Sequence, residues 1–283
     1  MEVIQPQQNK SKFGHWLKTS ITARMLIVGF LVIILLIPLS YISILIEERK
    51  ERQQDVVTEI NEKWGNEVLI YGPILKLPYK TYTDKQTYNK DTKEYVIETE
   101  THMNYAYIFP ESLTNNTKVD SKKLKRGNFE SAVYTAYMEF SGMYNKPDLK
   151  SRDIKNEDIV WDKATIVVKT SNLKGIKNEL VISVGENDYE FETNFDSNGN
   201  NSFMNELESN YLSENDFLKN SINFNYKMSF NGSKKIKIVP IGKTTTMNMT
   251  SNWPDPSFTG NYLPDDETKV INDDGFEANW KVL

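Results

Sequence analysis

The segment Met25–Ile46 reads MLIVGFLVIILLIPLSYISILI and contains no charged residue over 22 positions. The chain around it is rich in Lys, Glu and Asp. At about 1.5 Å rise per residue, a helix of this length spans roughly 33 Å, which is enough to cross the hydrocarbon core of a bilayer. The sequence therefore predicts a transmembrane α-helix, and the lipid bilayer is the first partner that it implies.

A cleaved signal peptide is the alternative interpretation of this segment. The apolar core of a signal peptide usually has about 7–15 residues and is followed by small residues at the cleavage site. Here the apolar run is longer, and bulky Tyr41 stands where a small residue would be needed. We therefore expect an uncleaved anchor. Pro38 is compatible with it, because transmembrane helices tolerate such breaks.

The topology follows from the lengths and charges of the flanking segments. The counts of Lys and Arg on the two flanks are nearly balanced, so the positive-inside rule alone decides little. Long domains are translocated largely regardless of their charge, whereas the leader 1–24 is short and basic. We expect the leader in the cytoplasm and the large domain on the far side of the membrane.

Charge and composition exclude several classes of function. The first 46 residues carry a net charge of +3 and the remaining 237 a net charge of −8. An acidic domain is a poor partner for nucleic acid, and we interpret the basic run Lys122–Arg126 as a solvated strand edge. The chain has no cysteine, which excludes disulfides, thiolate nucleophiles and Cys-based metal sites. We predict no cofactor.

The segment 47–64 is predicted to be a juxtamembrane helix that continues out of the membrane. It is rich in helix formers, and Val56, Ile60 and Trp64 recur at i, i+4 and i+8. Gly65 stands where a helix commonly ends. The apolar stripe is expected to pack on the following domain.

Residues 65–283 are predicted to form the β-rich domain. Short β-branched or aromatic segments, bounded by Gly, Asn or Asp, indicate strands. These segments are Glu94–Phe109, Ala164–Thr170, Leu180–Val184, Tyr189–Phe195 and Ser221–Phe230. The fold class is therefore mostly β, either all-β or β-rich α+β, preceded by one transmembrane helix. One short helix is expected near Ser202–Ser209 or Glu214–Asn220.

Asn-Gly and Asp-Gly pairs predict where strands reverse. Asn231-Gly232, between Ser221–Phe230 and Lys234–Val239, is the strongest hairpin signal, because both residues tolerate positive φ. Asn198-Gly199 and Asp274-Gly275 are similar candidates.

Few residues could carry chemistry. His102 is the one histidine after the membrane segment, so a zinc site built from several histidines is excluded. The run Asp196–Asn200 resembles part of a calcium loop, but its glycine is fourth instead of sixth and Leu207 occupies the twelfth place. A pair of Asp or Glu residues could still support a hydrolase acting on cell-wall glycan. We expect a protein that is not an enzyme and keep this hydrolase as the alternative.

The segment Asn252–Pro264, NWPDPSFTGNYLP, is the most unusual part of the domain. Its prolines prevent a regular strand ladder, and aromatic residues on a rigid loop can form a contact surface for a partner. The candidate contact residues are Trp253, Pro254, Pro256, Phe258 and Tyr262. The alternative, equally weighted, is that these aromatics close one end of a β-sandwich.

Three ordered blocks of sequence resemble one known family. The first is IPLSYISILIEERKERQQDVVTEINEKWG followed by Tyr71–Leu75 and Leu77–Tyr79. The second is Arg126–Phe129 with Val133-Tyr134 and Phe140–Gly142, and the third is Ser251–Gly260. Together they resemble CreD, the inner-membrane family associated with cell envelope integrity and colicin tolerance. The family-motif positions include Gly72, Pro73, Arg126, Gly127 and Gly260.

The resemblance implies an inner-membrane protein with a large periplasmic domain and a role in a two-component envelope response. It also implies further membrane spans after that domain, which agrees with Phe276–Leu283, a predicted strand at which the sequence stops. No catalytic residue follows from it. We therefore expect a non-catalytic protein that supports envelope integrity and contacts an envelope or membrane protein. A weaker alternative is a sensor whose helix 47–64 passes signals across the membrane.

Overall fold

The computed structural model describes Trp16 and residues 20–89, 94–194, 204–217 and 219–283. The chain divides into two units, 1–58 and 59–283. The first is dominated by helix α1, Ile21–Trp64, which runs through Pro38 without interruption. Ser40 and Ser43 each donate a hydrogen bond from the side chain to the carbonyl four residues earlier. The anchor and the juxtamembrane helix are thus one continuous element.

The second unit contains the last turn of α1 and the strands. The strands are β1 Val68–Asn89, β2 Glu94–Ile108, β3 Ser112–Arg126, β4 Phe129–Asn145, β5 Thr165–Thr170, β6 Val181–Val184, β7 Asn187–Asn194, β8 Asn205–Ser209, β9 Ser221–Ser233, β10 Ile236–Ile238, β11 Thr244–Ser251, β12 Val270–Asn272 and β13 Gly275–Val282. This arrangement confirms the predicted fold class, one long apolar helix followed by a β-rich domain.

The strands form two sheets that share β7. Residues 187–190 of β7 pair with β6, and residues 191–194 pair with β8. One sheet has the order β1-β5-β8-β7, with β2 and β10 both bonded to β1. The other has the order β7-β6-β9-β4-β3-β11-β13-β12. Only β1–β10 and β3–β11 are parallel among the described pairs.

Side chains from both sheets build one hydrophobic core. Ile70, Leu75 and Leu77 of β1 join the same buried cluster as Phe140 of β4 and Tyr226 of β9. The rings of Phe140 and Tyr226 stack with centroids 4.7 Å apart. Burial of aromatic and branched side chains is the main favourable term for such a domain.

The predicted hairpin at Asn231-Gly232 is wrong, because β9 runs straight through both residues. Gly232 lies opposite Tyr134 of β4, and a Cβ at position 232 would lie 2.7 Å from ring carbon Cε2 of Tyr134. The glycine is therefore needed for a close ring approach instead of a turn. After Ser233 the chain continues into β10, which pairs with β1 in parallel and not with β9.

The other local predictions have mixed outcomes. Helix α1 ends at Trp64 as expected, and the Gly65 amide donates to Asn61 O at 2.7 Å. A turn joins β12 and β13 as predicted, but it consists of Asp273-Asp274, one residue earlier than Asp274-Gly275, and Gly275 begins β13. A short 3₁₀ helix forms at Glu214–Phe217, whereas residues 205–209 form β8, so a helix at Ser202–Ser209 is wrong. The predicted turn at Asn198-Gly199 and the calcium-like run Asp196–Asn200 lie outside the described residues.

Candidate functional site

The last turn of α1 is fixed to the β3–β4 hairpin by a cluster of polar and aromatic contacts. Trp64 Nε1 donates to Tyr134 O at 3.0 Å. Asn61, only 2% exposed, accepts a hydrogen bond from Ser131 Oγ at 2.8 Å. The Lys122 ammonium lies 4.0 Å from the centroid of the Trp64 ring. We call these residues, together with Glu59 and Arg126, the junction cluster.

Charge reinforces the junction cluster. The Arg126 guanidinium forms an ion pair with Glu59, which also accepts a hydrogen bond from Lys63 at 2.7 Å. The hydrogen bond from Arg126, followed by that from Lys63, lowers the pKa of Glu59 to about 2. The basic run Lys122–Arg126 therefore includes two residues that hold the helix end. It also lies beyond Val119, where the pairing of β3 with β11 ends, as expected of a strand edge.

A second distinctive feature is the ribbon formed by β1 and β2. Fifteen residue pairs join Leu75–Asn89 to Glu94–Ile108 in antiparallel register. Beyond Tyr79, which still packs against the hydrophobic core, and Ala106 the two strands leave the core, and every residue of Glu94–Met103 is exposed. The ribbon is consequently an arm that presents side chains on both faces.

One face of this arm is rich in aromatic and apolar side chains, with Lys80 and Asp84 between them. Directly paired residues share a face, so the alternation of β2 places seven large side chains together. Each keeps 44–72% of its surface exposed. They are Tyr82, Tyr88, Tyr95, Ile97, Met103, Tyr105 and Tyr107, and we call them the ribbon face. Exposed patches rich in Tyr and Met are typical of interaction surfaces.

An open groove of about 620 Å³ begins at the base of the ribbon face. Tyr105 and Met103 form one side, and Tyr211, 63% exposed, lines it as well. The Lys76 ammonium lies 4.9 Å from the centroid of the Tyr105 ring and 2.9 Å from Glu208 Oε1. Burial lowers the pKa of Lys76, but the hydrogen bond to Glu208 and the nearby carboxylates outweigh it, so the pKa is raised.

Two carboxylates of the groove bear on the hydrolase alternative. Glu192 of β7 and Glu208 of β8 lie directly opposite each other in the ladder, and both line the groove. Glu208 Oε1 accepts hydrogen bonds from Lys76 and from Thr165 Oγ1, the latter at 2.7 Å. Side chains of a glycosidase pair must be able to reach a substrate and exchange protons with it. An ion-paired and hydrogen-bonded Glu208 fits a structural role better than a catalytic one.

The predicted contact loop does not expose its residues as one surface. Phe258 packs edge-to-face on Phe276 and Trp280 of β13, with centroids 5.4 and 5.6 Å away. Trp253 is half-buried, and its Nε1 donates to Asp255 O at 2.9 Å. Pro254 and Pro256 are half-buried, whereas Tyr262 is exposed. Phe258 thus follows the packing alternative, and binding by the loop stays a prediction.

No group of three or more His, Asp or Glu side chains is arranged to hold a metal within the described ranges. His102 lies on the ribbon, half exposed, with Nε2 4.0 Å from Glu100 Oε2. Its surroundings are those of a cross-strand surface residue.

Comparison with known proteins assigns the chain to a family. The family model described as inner membrane protein CreD matches residues 20–283. The chain belongs to the CreD family. It is 26% identical over 257 residues to the inner membrane protein CreD of Escherichia coli (strain K12), covering 88% of this chain and 52% of that relative. The chain therefore spans about half the length of the curated relative it matches.

The positions that carry the CreD resemblance shape the backbone more than they supply chemistry. Gly72 has φ +138, and the Gly72–Pro73 segment interrupts the register of β1 with β5 between Tyr71 and Ile74. Gly127, with φ +59, lies in the two-residue turn between β3 and β4. Gly260 has φ +119 in the loop before β12. Arg126 alone among the five carries a charge, and it binds Glu59.

Sequence reasoning missed the ribbon face and the groove of this CreD-family chain. The alternation in Glu94–Phe109 was a visible signal, since it placed Tyr95 and Ile97 on one side. What it could not reveal is that neither side of the strand meets the core beyond Ala106. The groove residues come from five strands spread along the chain, and no spacing links them.

Proposed function

We propose that this chain is an inner-membrane-anchored protein whose β-rich domain lies in the periplasm and supports envelope integrity through contacts instead of catalysis. The observation that carries the proposal is the continuity of α1. Its apolar stretch Met25–Ile46 is exposed throughout, and its last turn is fixed into the folded domain by Trp64 and Asn61. Membership of the CreD family supports the membrane location.

The absence of cysteine makes the proposed orientation directly testable. Single cysteines are placed at Ser11 in the leader and at exposed Thr259 in the domain of the full chain. In cells with a permeabilised outer membrane, a membrane-impermeant maleimide should label T259C. The same reagent should label S11C only after the cells are lysed. Labelling of S11C in intact cells would show that the orientation is the opposite of the proposed one.

A genetic test addresses the proposed role. A strain lacking its CreD homologue is complemented with the full chain, and envelope integrity is measured as resistance to detergent. The double variant Y95S/I97S removes two exposed apolar side chains of the ribbon face without touching the core, and it should fail to complement. The matched control V270S/I271S alters two exposed apolar residues of β12, outside both the ribbon face and the candidate contact loop. If the ribbon variant complements as well as the control, the ribbon face is not the contact surface.

The hydrolase alternative rests on Glu192 and Glu208 facing each other in the groove. The purified full chain is incubated with peptidoglycan, and soluble glycan fragments are measured. We expect no release. Release that is abolished by both E192Q and E208Q would favour the hydrolase and contradict the non-catalytic role.

A further inference from the structure

Strand β2 has a long open edge. All fifteen of its residues pair with β1 on one side, and among the described residues no strand pairs with its other side. An unpaired strand edge exposes a row of N–H and C=O groups that can pair with another strand. Natural proteins usually protect such edges with charged side chains, especially lysine, with proline or with a bulge. The charged side chains of β2 are Glu94, Glu98 and Glu100. Residues 94–108 contain no lysine or proline, and the register with β1 is unbroken.

The ribbon also lacks support from the core. Cross-strand contacts fix its register: Tyr88 and Tyr95 pack edge-to-face at 5.2 Å, and Thr99 Oγ1 donates to Asp84 Oδ1 at 2.8 Å. Even so, a two-stranded ribbon in water is only marginally stable, and three or more strands are needed for independent stability. An added strand on the β2 edge would supply that stability and cover apolar side chains.

The sequence of β2 is complementary to itself in antiparallel register about its midpoint, Thr101. In that register every residue of 94–108 finds a partner. On the apolar face the opposed pairs are Tyr95 with Tyr107, Ile97 with Tyr105 and Thr99 with Met103. On the other face Glu100 stands opposite His102 and Glu98 opposite Asn104. Aromatic–aromatic, aromatic–aliphatic and opposite-charge pairs are the cross-strand contacts that stabilise sheets.

Other antiparallel registers of two β2 strands bring like charges together or leave part of the strand unpaired. An axis at Glu100 places that carboxylate opposite its own copy, and an axis at Thr99 places Glu98 opposite Glu100, so like charges meet. An axis at His102 moves Tyr95 opposite Phe109, which lies beyond the end of β2. The axis at Thr101 alone avoids opposed carboxylates and also uses the whole strand.

We propose that β2 pairs antiparallel with β2 of a second copy of this chain, with Thr101 on the two-fold axis. Two β1–β2 ribbons then form a continuous four-stranded sheet, and the two ribbon faces become one apolar surface. Such an interface is isologous, as expected of a two-fold dimer. Anchoring both copies in one membrane raises their effective concentration, which favours an interface of this modest size.

Cysteine cross-linking in native membranes tests the proposal with the full chain. In the proposed register two Thr101 residues lie directly opposite, with Cα atoms about 4.5–5.5 Å apart, within the range of a disulfide. Under mild oxidation T101C should therefore migrate largely as a covalent dimer. The matched control is T83C, an exposed threonine of β1 that pairs with Glu100. Its copies would be three strand spacings apart and offset by two residues along the strand, about 16 Å in all. It should remain monomeric.

A second pair of variants fixes the register. T99C alone and M103C alone place their cysteines four residues away from their own copies on the neighbouring strand, about 14 Å apart, so neither should cross-link strongly. Co-expressed, T99C and M103C stand opposite each other and should form the mixed dimer. Equal cross-linking of T101C and T83C overturns the proposal, as does attachment of T101C to a polypeptide other than this chain. A dimer from T99C alone would overturn the register.

Discussion

At the residue scale, Trp64 contacts two different strands within the junction cluster. Its indole donates to the Tyr134 carbonyl and its ring faces the Lys122 ammonium. A cation over an aromatic face contributes about 0.5–2 kcal/mol, depending on its exposure to water. A single side chain thus connects the end of α1 to β3 and β4.

We expect Trp64→Phe to lower the free energy of unfolding by about 1–3 kcal/mol. Phenylalanine keeps a ring but leaves the Tyr134 carbonyl without its donor. Urea unfolding of the detergent-solubilised chain measures the change. The control Tyr262→Phe alters an exposed ring and should change the free energy by less than about 0.5 kcal/mol. Equal effects of the two variants would contradict the assigned role of Trp64.

Glu59 gives the junction a pH dependence. Its pKa is lowered from 4.5 to about 2 in the folded chain, chiefly by the hydrogen bond from Arg126. A lowered carboxyl pKa contributes stability that is present above the unfolded value and is lost as the pH falls toward the folded value. The domain should therefore weaken between about pH 4.5 and pH 2 through this group.

Replacing Glu59 should remove that part of the pH dependence. We expect Glu59→Gln and Arg126→Met each to reduce stability at pH 7 and to flatten the stability profile below pH 4.5. Unfolding curves measured at a series of pH values provide the readout. Because the two side chains form one ion pair, the double variant should lose little more than either single variant. Fully additive losses would show that the pair does not act as a unit.

At the element scale, two glycines that read alike in the sequence have different roles. Gly127 has φ +59 in the β3–β4 turn and open space around it, whereas Gly232 lies within β9 against the ring of Tyr134. The Asn231-Gly232 pair predicts a turn, whereas Gly127-Asn128 forms the turn between β3 and β4. Long-range pairing of β9 with β4 decides otherwise for Gly232.

These roles predict that the chain tolerates substitution of Gly127 but not of Gly232. Gly232→Ala adds a methyl group where the Tyr134 ring lies and should destabilise the chain by about 1–3 kcal/mol. Gly127→Asn retains a residue that tolerates the left-handed conformation and should cost less than about 1 kcal/mol. Thermal unfolding of both variants tests the contrast. The reverse order of stabilities would contradict the strand assignment of Gly232.

At the whole-molecule scale, the boundary between the two units falls inside α1. Residues 59–283 contain the junction cluster, both sheets and the core, while Met25–Ile46 lies in the other unit. No residue of Met25–Ile46 belongs to the hydrophobic core cluster of the domain. Folding of the domain and attachment to the membrane should be separable.

A fragment of residues 59–283 should remain folded and appear in the soluble fraction after lysis, whereas the full chain sediments with membranes. A fragment starting at Val68 lacks Asn61 and Trp64 and should unfold at lower urea concentration. Sedimentation and circular dichroism measure the two properties. An insoluble or unfolded 59–283 fragment would show that the domain depends on the preceding helix.

The sequence by itself determined the features that depend on local patterns. An uncharged apolar run predicts a transmembrane helix because hydropathy and length are properties of one segment. Gly65 ends α1 because glycine tolerates the backbone conformation that follows the last helical turn. Strands such as Glu94–Ile108 and Thr165–Thr170 were predictable from alternation and β-branched content. The lack of cysteine excluded whole classes of chemistry.

Only the tertiary structure decided which of these segments pack against or pair with each other. Three features depend on contacts between residues distant in the chain: the packing of Phe258 on Phe276, the strand role of Gly232 and the opposition of Glu192 to Glu208. The open edge of β2 also depends on the tertiary structure, because a strand edge stays exposed only where no other strand of the fold pairs with it. Local propensity fixes which segments extend, whereas the burial of apolar surface across the whole domain fixes their order.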